Sequence, residues 1–424
     1  MHKIERLLQT LAPKGVEFKT LEEVFEIKNG YTPSKNNPEF WEKGTIPWFR
    51  MEDLRENGRI LKDSIQHITP KALKGKKLFP KNSIIISTTA TIGEHALLIV
   101  ESLANQRFTF LSKKVNCDIA LDMKFFFYQC FLLGEWCKNN TNVSGFASVD
   151  MTAFKKYKFP IPPLEIQQEI VTILDAFTEL NTELNTELNA RKKQYEYYQN
   201  MLLDFNDINQ NRKDAKERLA QKPYPKRLKQ LLQTLAPKGV EFRKLGEVCD
   251  FQKGKSITKK AVTFGKVPVI SGGRQPAYYH NEANRSGETI AISSSGVYAG
   301  YVSYWDIPVF LADSFSVSPK QKTLMPKYLF HYLTTQQDAI HATKSTGGIP
   351  HVYSKDLQNF LIPIPPLEIQ QEIVKILDQF LALTTDLLAG IPAEIEARKK
   401  QYEYYREKLL TFKPLTLHKE VKKC

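Results

Sequence analysis

The twelve residues PIPPLEIQQEIV occupy Pro160–Val171 and occur again, letter for letter, at Pro363–Val374. In both copies the Ile-Pro-Pro step precedes an apolar pattern of helical spacing. Proline suits the first turn of a helix and prevents a helix from continuing in from upstream. The stretch therefore predicts two helices that begin alike, and a helix start present twice indicates an internal duplication.

Two other stretches are also duplicated. Leu7–Phe18 (LLQTLAPKGVEF) returns 224 residues later at Leu231–Phe242, and Ala190–Tyr198 (ARKKQYEYY) returns 207 residues later at Ala397–Tyr405. The offset of the proline-rich helix start is 203 residues, so the block before it is 21 residues longer in the first half than in the second. The chain is an imperfect tandem duplication, in which near-identical frames enclose two inserts that share little beyond composition.

The duplication predicts alternating frame and insert segments. They are residues 1–18 (the helical start of the frame), 19–158 (the first insert), 159–205 (the first spacer helix), 206–242 (a linker with the repeated frame segment), 243–361 (the second insert), 362–412 (the second spacer helix) and 413–424 (a basic tail). Short β-branched runs between Gly, Pro and Asn signals predict mixed α and β inserts, with strands at Ser83–Thr88 and Glu288–Ser294. Helices are expected at Lys124–Cys137 and Pro326–His341.

Apolar and aromatic residues recur every three or four positions along both spacers, from Ile170 to Phe205 and from Ile373 to Phe412. This spacing is typical of a two-helix seam. The two helices can bury their seams most simply against each other, which predicts an antiparallel coiled coil with a pseudo-twofold axis. Pro392 interrupts the second pattern and predicts a kink. The expected fold class is α+β, with two globular mixed α/β domains joined by two long helices.

The first spacer carries three successive copies of the quartet Thr-Glu-Leu-Asn at Thr178–Asn189. Each quartet makes just over one helical turn, about 6 Å of length. The matching stretch of the second spacer, Leu381–Glu396, has 16 residues against 12 in the first. A fourth quartet would equalise the two, so the number of quartets adjusts helix length. The alternative interpretation is a low-complexity stretch on a solvated helix.

Composition indicates a soluble protein of two or more domains: 424 residues, 42% hydrophobic and 25% charged. No run of about 18 apolar residues predicts a membrane span, and we expect a cytoplasmic protein. The five cysteines, which include Cys424, are odd in number and lack CxxC spacing, so free thiols are expected.

The net charge is +14, and it is unevenly distributed. Each insert carries +6, whereas residues 159–205 carry −5 and residues 206–242 carry +5. Two basic bodies on a less basic frame fit a DNA duplex contacted at two places, although many basic proteins bind no polyanion.

Residues that contact bases and phosphates are basic, amide or aromatic side chains displayed on loops. The candidates in the first insert are Lys28, Asn29, Tyr31, Lys35, Trp48, Arg50, Asn105, Gln106 and Arg107, and those in the second are Lys253, Lys255, Gly272, Gly273, Arg274, Gln275, Tyr278, Tyr279 and His351. Each residue taken alone fits a solvated surface or core role better than a base contact, and clustering favours contact only at Gly272–Tyr279.

Catalytic motifs are missing from the sequence. It has no Asn/Asp-Pro-Pro-Tyr/Phe run, no glycine-rich methyl-donor or dinucleotide loop and no phosphate-binding loop of the GxxxxGK[ST] type. The histidines form no metal-ligand or triad pattern, whether His67, His95, His280, His331 or His351. We therefore predict no catalytic residue, no metal and no cofactor.

These features together resemble the specificity subunit of a type I restriction-modification system. The resemblance rests on the repeated helix starts, the ARKKQYEYY runs, the quartets and, within the inserts, on Ile46-Pro47-Trp48, Ser87 with Ile92-Gly93, Asn105-Gln106 and Ile270–Gly273. It implies a non-catalytic subunit whose two target recognition domains each read a few base pairs of double-stranded DNA. It also implies methyltransferase subunits, which carry the S-adenosylmethionine, as partners and restriction subunits as optional further ones.

The chain departs from a simple repeat because its second insert is the shorter, so contact loops cannot be transferred from the first. Two rival hypotheses remain open at this point. One is a lone methyltransferase or nuclease, which the missing motifs disfavour. The other is a coiled-coil adaptor without sequence-specific DNA binding, which the basic inserts disfavour.

Overall fold

The computed structural model describes six stretches of the chain: residues 2–75, 77–142, 147–320, 322–345, 348–385 and 390–415. It divides into two compact units, the first made of Met1–Glu183 with Glu396–Cys424 and the second of Leu184–Ile395. Each unit contains one insert. Most of the expected basic tail, residues 416–424 with Cys424, lies outside the described residues.

The first unit is built around a five-stranded and a three-stranded sheet. Its helices are α1 (His2–Leu11), α2 (Leu21–Val24), α3 (Met51–Asn57), α4 (Met123–Asn139) and α5 (Met151–Lys155). Its strands are β1 (Glu17–Thr20), β2 (Phe25–Asn29), β3 (Ile46–Phe49), β4 (Ile60–Leu61), β5 (His67–Ile68), β6 (Ser83–Ser87), β7 (His95–Leu98), β8 (Leu103–Ala104), β9 (Phe108–Lys113), β10 (Thr141–Asn142), β11 (Ser148–Val149) and β12 (Lys158–Ile161). The strand orders are β2-β9-β6-β7-β4 and β5-β3-β8, and β1 pairs with β12.

The long helix α6 (Leu164–Leu203) begins in the first unit and ends in the second. The further helices of the second unit are α7 (Ala215–Gln221), α8 (Lys226–Leu235), α9 (Leu245–Val248), α10 (Pro326–Thr335), α11 (Gln337–Ala342), α12 (Ser354–Leu357) and α13 (Leu367–Thr385). Its strands are β13 (Glu241–Lys244), β14 (Cys249–Lys253), β15 (Val267–Ile270), β16 (Tyr278–His280), β17 (Thr289–Ser293), β18 (Val302–Trp305), β19 (Phe310–Leu311), β20 (Ser314–Pro319) and β21 (Leu361–Ile364). Helix α14 (Ile391–Leu410) begins in this unit and ends in the first.

The two inserts share one topology although their sequences differ. The sheet β14-β20-β17-β18 repeats the order β2-β9-β6-β7, and β16-β15-β19 repeats β5-β3-β8. The register agrees as well, because Leu111 pairs with Ile84 in the first unit and Val317 pairs with Ile290 in the second. The described strand pairings therefore identify positions of the two inserts that correspond to each other.

The glutamine of the repeated PIPPLEIQ stretch has the same structural role in both units. The Nε2 of Gln167 donates to the carbonyl oxygens of Pro162 and Ala120 at 2.7 and 2.9 Å, and its Oε1 accepts from the Asp122 amide at 2.8 Å. Gln370 makes the corresponding three bonds in the second unit at 2.7, 2.8 and 2.9 Å. Both side chains are fully buried, so each amide satisfies backbone groups that water cannot reach.

Each unit is completed by the segment that follows a long helix. In the first unit the Val16 amide donates to Lys413 O, and the Leu415 amide donates to Val16 O, both at 2.9 Å. Val240 makes the same two bonds to residues 208–210 in the second unit, at 2.8 and 2.9 Å. The stretch after α14 therefore has the same role in the first unit as the stretch after α6 has in the second.

The two spacers differ in continuity. Helix α6 runs through all three quartets as one helix of 40 residues. In the described residues the second spacer comprises α13 (Leu367–Thr385) and α14 (Ile391–Leu410), and Gly390 directly before α14 is not helical. Residues 386–389 lie outside the described residues. The kink expected at Pro392 takes the form of a new helix start, because proline fits the first turn and lacks an amide donor.

Aromatic seam residues pack within each unit as expected. The rings of Phe177 and Tyr405 stack at 5.5 Å in the first unit, and those of Tyr198 and Phe380 stack at 5.0 Å in the second. The predicted fold class, two mixed α/β domains with long helices, is confirmed.

The local predictions are confirmed with small differences. Strands β6 and β17 lie where the sequence places them, and α4 matches its predicted span, whereas the helix expected from Pro326 to His341 is divided into α10 and α11 at Gln336. The four described cysteines are free. No helix in the described stretches is both long and apolar enough to cross a membrane.

Candidate nucleic-acid interface

Backbone hydrogen bonds join two loops at one end of the first insert's sheets. The Gly30 amide donates to Phe108 O at 2.9 Å, and the Tyr31 amide donates to Ala104 O at 2.8 Å. A Cβ atom on Gly30 would lie 2.3 Å from the Asn105 carbonyl oxygen, so this approach requires glycine. We call the following residues the first loop cluster: 28–35, 88–91, 105–107 and 148.

The turn 105–107 presents two polar side chains to solvent. The Arg107 amide donates to Asn105 Oδ1 at 3.0 Å, and the Thr88 amide donates to Arg107 O at 3.2 Å. Gln106 accepts a hydrogen bond from the Thr32 hydroxyl. Gln106 and Arg107 are both exposed, and the Arg107 guanidinium forms no ion pair in the described part of the chain. The turn is therefore held in place by hydrogen bonds, one of which engages the Gln106 amide oxygen, while the Arg107 guanidinium stays exposed.

Three other candidates of the first insert lie at the same surface. Lys28 is exposed and pairs with Glu26, and Lys35 is exposed. The Oδ1 of Asn29 accepts from the Thr109 hydroxyl at 3.0 Å. Both lysine side chains therefore lie at the surface, whereas part of the Asn29 amide is already engaged.

Trp48 corrects the sequence prediction. Only 2% of its surface is exposed, its Nε1 donates to Tyr31 O at 2.9 Å, and its ring meets the edge of Trp41 at 5.0 Å. Trp48 lies on β3, between strands β5 and β8, and its hydrogen bond supports the loop that contains Tyr31. Because its ring is buried, it cannot contact a base. Arg50 is half-buried with its guanidinium 5.9 Å from the Trp48 ring centre, and its Nε forms a long ion pair with Glu52 Oε2 at 3.8 Å.

The second insert builds a corresponding cluster. The Gly254 amide donates to Ser314 O at 2.8 Å, and the Lys255 amide donates to Leu311 O at 2.9 Å. This is the pattern of the first insert, and it places exposed Lys255 where the first insert has Tyr31. Lys253, the last residue of β14, is exposed beside it. We call the following residues the second loop cluster: 253–255, 272–275, 294–298, 312–313 and 349–351.

The strand-end loops correspond residue by residue. The Ser294 amide donates to Asp313 O at 3.0 Å, as the Thr88 amide does to Arg107 O. Ser295 forms an isolated bridge with His351, as Thr89 does with Ser148. Asp313 therefore occupies the position of Arg107, and His351 that of Ser148. His351 is among the residues predicted from the sequence, whereas Asp313 and the serine and threonine residues at these positions are not.

The dense cluster at 272–279 lies partly against this surface. A Cβ atom on Gly272 would lie 2.5 Å from Ser295 O, so the two loops touch at the backbone. The Arg274 guanidinium lies 5.0 Å from the Tyr298 ring centre, a cation–π contact that holds a positive charge at the surface. Gly273 is half-buried and Gln275 is exposed. The remaining two candidates, Tyr278 and Tyr279, lie on edge strand β16 with 36% and 57% of their surfaces exposed.

The histidines outside the clusters have structural contacts. Burial lowers the pKa of His95 to about 3, so this imidazole is neutral, and its ring meets Phe131 at 4.6 Å. His331 is fully buried, with its Nε2 2.9 Å from Asp378. No group of three or more potential metal ligands occurs in the described stretches.

Comparison with known proteins gives a consistent result. A family model described as the type I restriction modification DNA specificity domain matches residues 13–193 and again residues 237–397. The specificity subunit of the type I restriction enzyme EcoprrI from Escherichia coli is 40% identical over 404 residues, which covers 91% of this chain and 93% of that protein. A putative type I restriction enzyme specificity subunit from Haemophilus influenzae is 34% identical over 280 residues, 63% of this chain and 66% of that protein.

Solved structures share the fold. The crystal structure of the S subunit of a type I restriction-modification system from M. genitalium aligns with a TM-score of 0.57, over 93% of this chain and 96% of that chain. The sequence identity is 19%, so this likeness concerns the fold alone.

Proposed function

Because the chain belongs to the family of type I restriction-modification DNA specificity subunits, we propose that its first and second loop clusters each read one half of a bipartite duplex target. As a family member it is a non-catalytic recognition subunit. The observation that supports the proposal is one backbone arrangement, built twice, that carries different side chains at corresponding positions. A shared scaffold with exchanged surface residues is what two unlike half-sites require.

The proposed contacts divide by chemistry. Lys28, Lys35, Lys253 and Lys255 are suited to phosphates, whose neutralisation supplies affinity without sequence information. The other exposed or half-buried candidates are proposed to contact base edges. Among them, side-chain amides pair with adenine and guanidinium groups with guanine. These other candidates are Asn29, Tyr31, Arg50, Asn105, Gln106, Arg107, Gly272, Gly273, Arg274, Gln275, Tyr278, Tyr279 and His351.

Specificity subunits of this family assemble with other subunits of the restriction-modification complex. For this chain we propose methyltransferase subunits as the partners, with restriction subunits as optional further ones, acting on double-stranded DNA in the cytoplasm. Because the two frames are nearly identical, we expect each frame to bind one partner subunit in the same way. Lys3 pairs with Glu169 at 2.5 Å in the first frame, and Arg227 pairs with Glu372 at 3.1 Å at the corresponding positions of the second. A coiled-coil adaptor that never binds DNA is not supported by the family assignment.

The test exchanges residues 243–361 for the second insert of another family member and maps the recognised sequence by selection from random DNA duplexes. We expect only one half of the site to change. The matched control is the double substitution of Gln106 and Arg107 by alanine, which should relax the other half alone. A change in both halves after the exchange would reject independent recognition by the two clusters.

A further inference from the structure

Asp313 is an acidic residue of the second loop cluster. The residue at the corresponding position of the first loop cluster, Arg107, is basic. The Asp313 carbonyl oxygen accepts from the Ser294 amide at 3.0 Å, as that of Arg107 accepts from the Thr88 amide at 3.2 Å. Both side chains are exposed and lie directly before the strand that pairs with the first strand of the insert's larger sheet, β9 in the first insert and β20 in the second. Corresponding positions of the two domains therefore present a guanidinium in one and a carboxylate in the other.

The carboxylate of Asp313 is oriented by one neighbour. The Ser295 hydroxyl donates to its Oδ2, and Ser295 is itself held by its bridge to His351. In the described part of the chain the Oδ1 accepts no hydrogen bond, and no lysine or arginine forms an ion pair with the group. One carboxylate oxygen is thus directed by the loop while the other remains available as an acceptor.

We infer that Asp313 determines specificity in the second domain by accepting a hydrogen bond from an exocyclic amino group of a base, cytosine N4 or adenine N6. This inference rests on the proposed function. A carboxylate only accepts hydrogen bonds, and phosphates repel it, so it weakens non-specific binding to DNA. Among major-groove edges, the amino groups of cytosine and adenine are the donors that it can meet. Ser295 is a positioning residue, because its hydroxyl directs the carboxylate without reaching the base.

At this turn the two half-sites then have opposite hydrogen-bonding polarity. The Arg107 guanidinium has only donors and suits the acceptors of guanine, O6 and N7. Asp313 has only acceptors and suits an amino group. The two domains thus use one turn to select bases of complementary hydrogen-bonding character.

The test compares D313A and D313N with the wild-type full-length chain in selection from random DNA duplexes at low salt. We expect D313A to lose preference at one position of the second half-site, by about five- to a hundredfold, the discrimination typical of one base contact. Asparagine pairs with adenine. D313N should therefore move a cytosine preference towards adenine, or retain an adenine preference, and these two results distinguish the two bases.

Two controls accompany these variants. D306N removes one exposed negative charge of the same domain outside the cluster, so it should strengthen non-specific binding as D313A does and leave every base preference unchanged. S295A should weaken the same single preference as D313A, to a smaller extent.

Unchanged preferences in D313A at all positions, or a change in the first half-site, would overturn the inference. If R107A altered the first half-site while D313A altered nothing, the proposed function would stand without this residue. A wild-type chain that enriched no bipartite sequence would reject the proposed function itself.

Discussion

Deleting one quartet, Thr182–Asn185, should leave both half-site sequences intact and bring them closer by one or two base pairs. Helix α6 is continuous through the quartets, and within them the Thr182 hydroxyl donates to Thr178 O at 2.9 Å. Four helical residues span about 6 Å. One base pair rises about 3.4 Å along the duplex, so the upper limit is just under two base pairs, and tilt of the helix to the DNA axis reduces it.

The deletion should preserve the fold. Four residues turn the helix by about 400°, so the seam rotates by only about 40° relative to its present position. Most quartet side chains are exposed, and their removal sacrifices little buried surface. Each base pair also rotates a domain by about 34° around a duplex of roughly 10.5 base pairs per turn. Binding should therefore require a site with the new spacing.

The assay maps modified sites in a cell that supplies the methyltransferase partner, for the deletion and for an insertion of a fourth quartet after Asn189. The insertion should lengthen the spacer by the same one or two base pairs. A variant with Thr182–Asn185 replaced by four other helix-forming residues is the control of equal length. An unchanged spacer in the deletion would refute the role of the quartets in spacing, and altered half-site bases would mean that the helix takes part in reading.

Three other outcomes follow from the charge and packing of the chain. The affinity of the full-length chain for duplex DNA should fall about a thousandfold between 50 and 200 mM salt if about six phosphates are neutralised. Equal affinities at the two salt concentrations in a binding titration would contradict phosphate neutralisation by the two basic inserts. Gln167→Leu should lower the free energy of unfolding by about 2–4 kcal/mol in urea titration, because it leaves buried backbone groups unpaired, whereas the exposed neighbour Gln168→Leu should change it little. The pKa of His95 lies near 3 in the folded chain against an ordinary 6.5, so only the unfolded chain takes up a proton as pH falls below 6.5. Stability should then decline by up to about 1.4 kcal/mol per pH unit, and His95→Leu should remove that part of the decline.

The repeated stretches predicted the frame well because their physics is local. Helical spacing and the proline start require only neighbouring residues, and so does the division of the second spacer near Pro392. The role of Gln167 was missed because its partners include Ala120, 47 residues away. No pattern within PIPPLEIQQEIV shows that one of its glutamines is buried and the other exposed.

The candidate interface was harder to predict because side-chain direction depends on strand register. Trp48 is aromatic and sits beside Arg50, yet β3 turns its ring into the core. Asp313 went unnoticed because acidic residues are not expected at DNA. Only its hydrogen bond with Ser294, which matches the pair formed by Thr88 and Arg107, reveals its position. The prediction of Gln106 and Arg107 as DNA contacts still awaits its test.

Completion of the first unit by the stretch after α14 has a consequence for synthesis on the ribosome. The second unit consists of one uninterrupted stretch, Leu184–Ile395, whereas the first needs Glu396 onwards. In the first unit, for example, the Gln129 side chain donates to Leu410 O at 3.1 Å. The first unit is therefore synthesised first but completed last. Until Leu409 and Leu410 are synthesised, part of its apolar core stays exposed. A chain released by a premature stop near residue 395 would hold a finished second unit beside an unfinished first, and we expect cellular proteases to remove it.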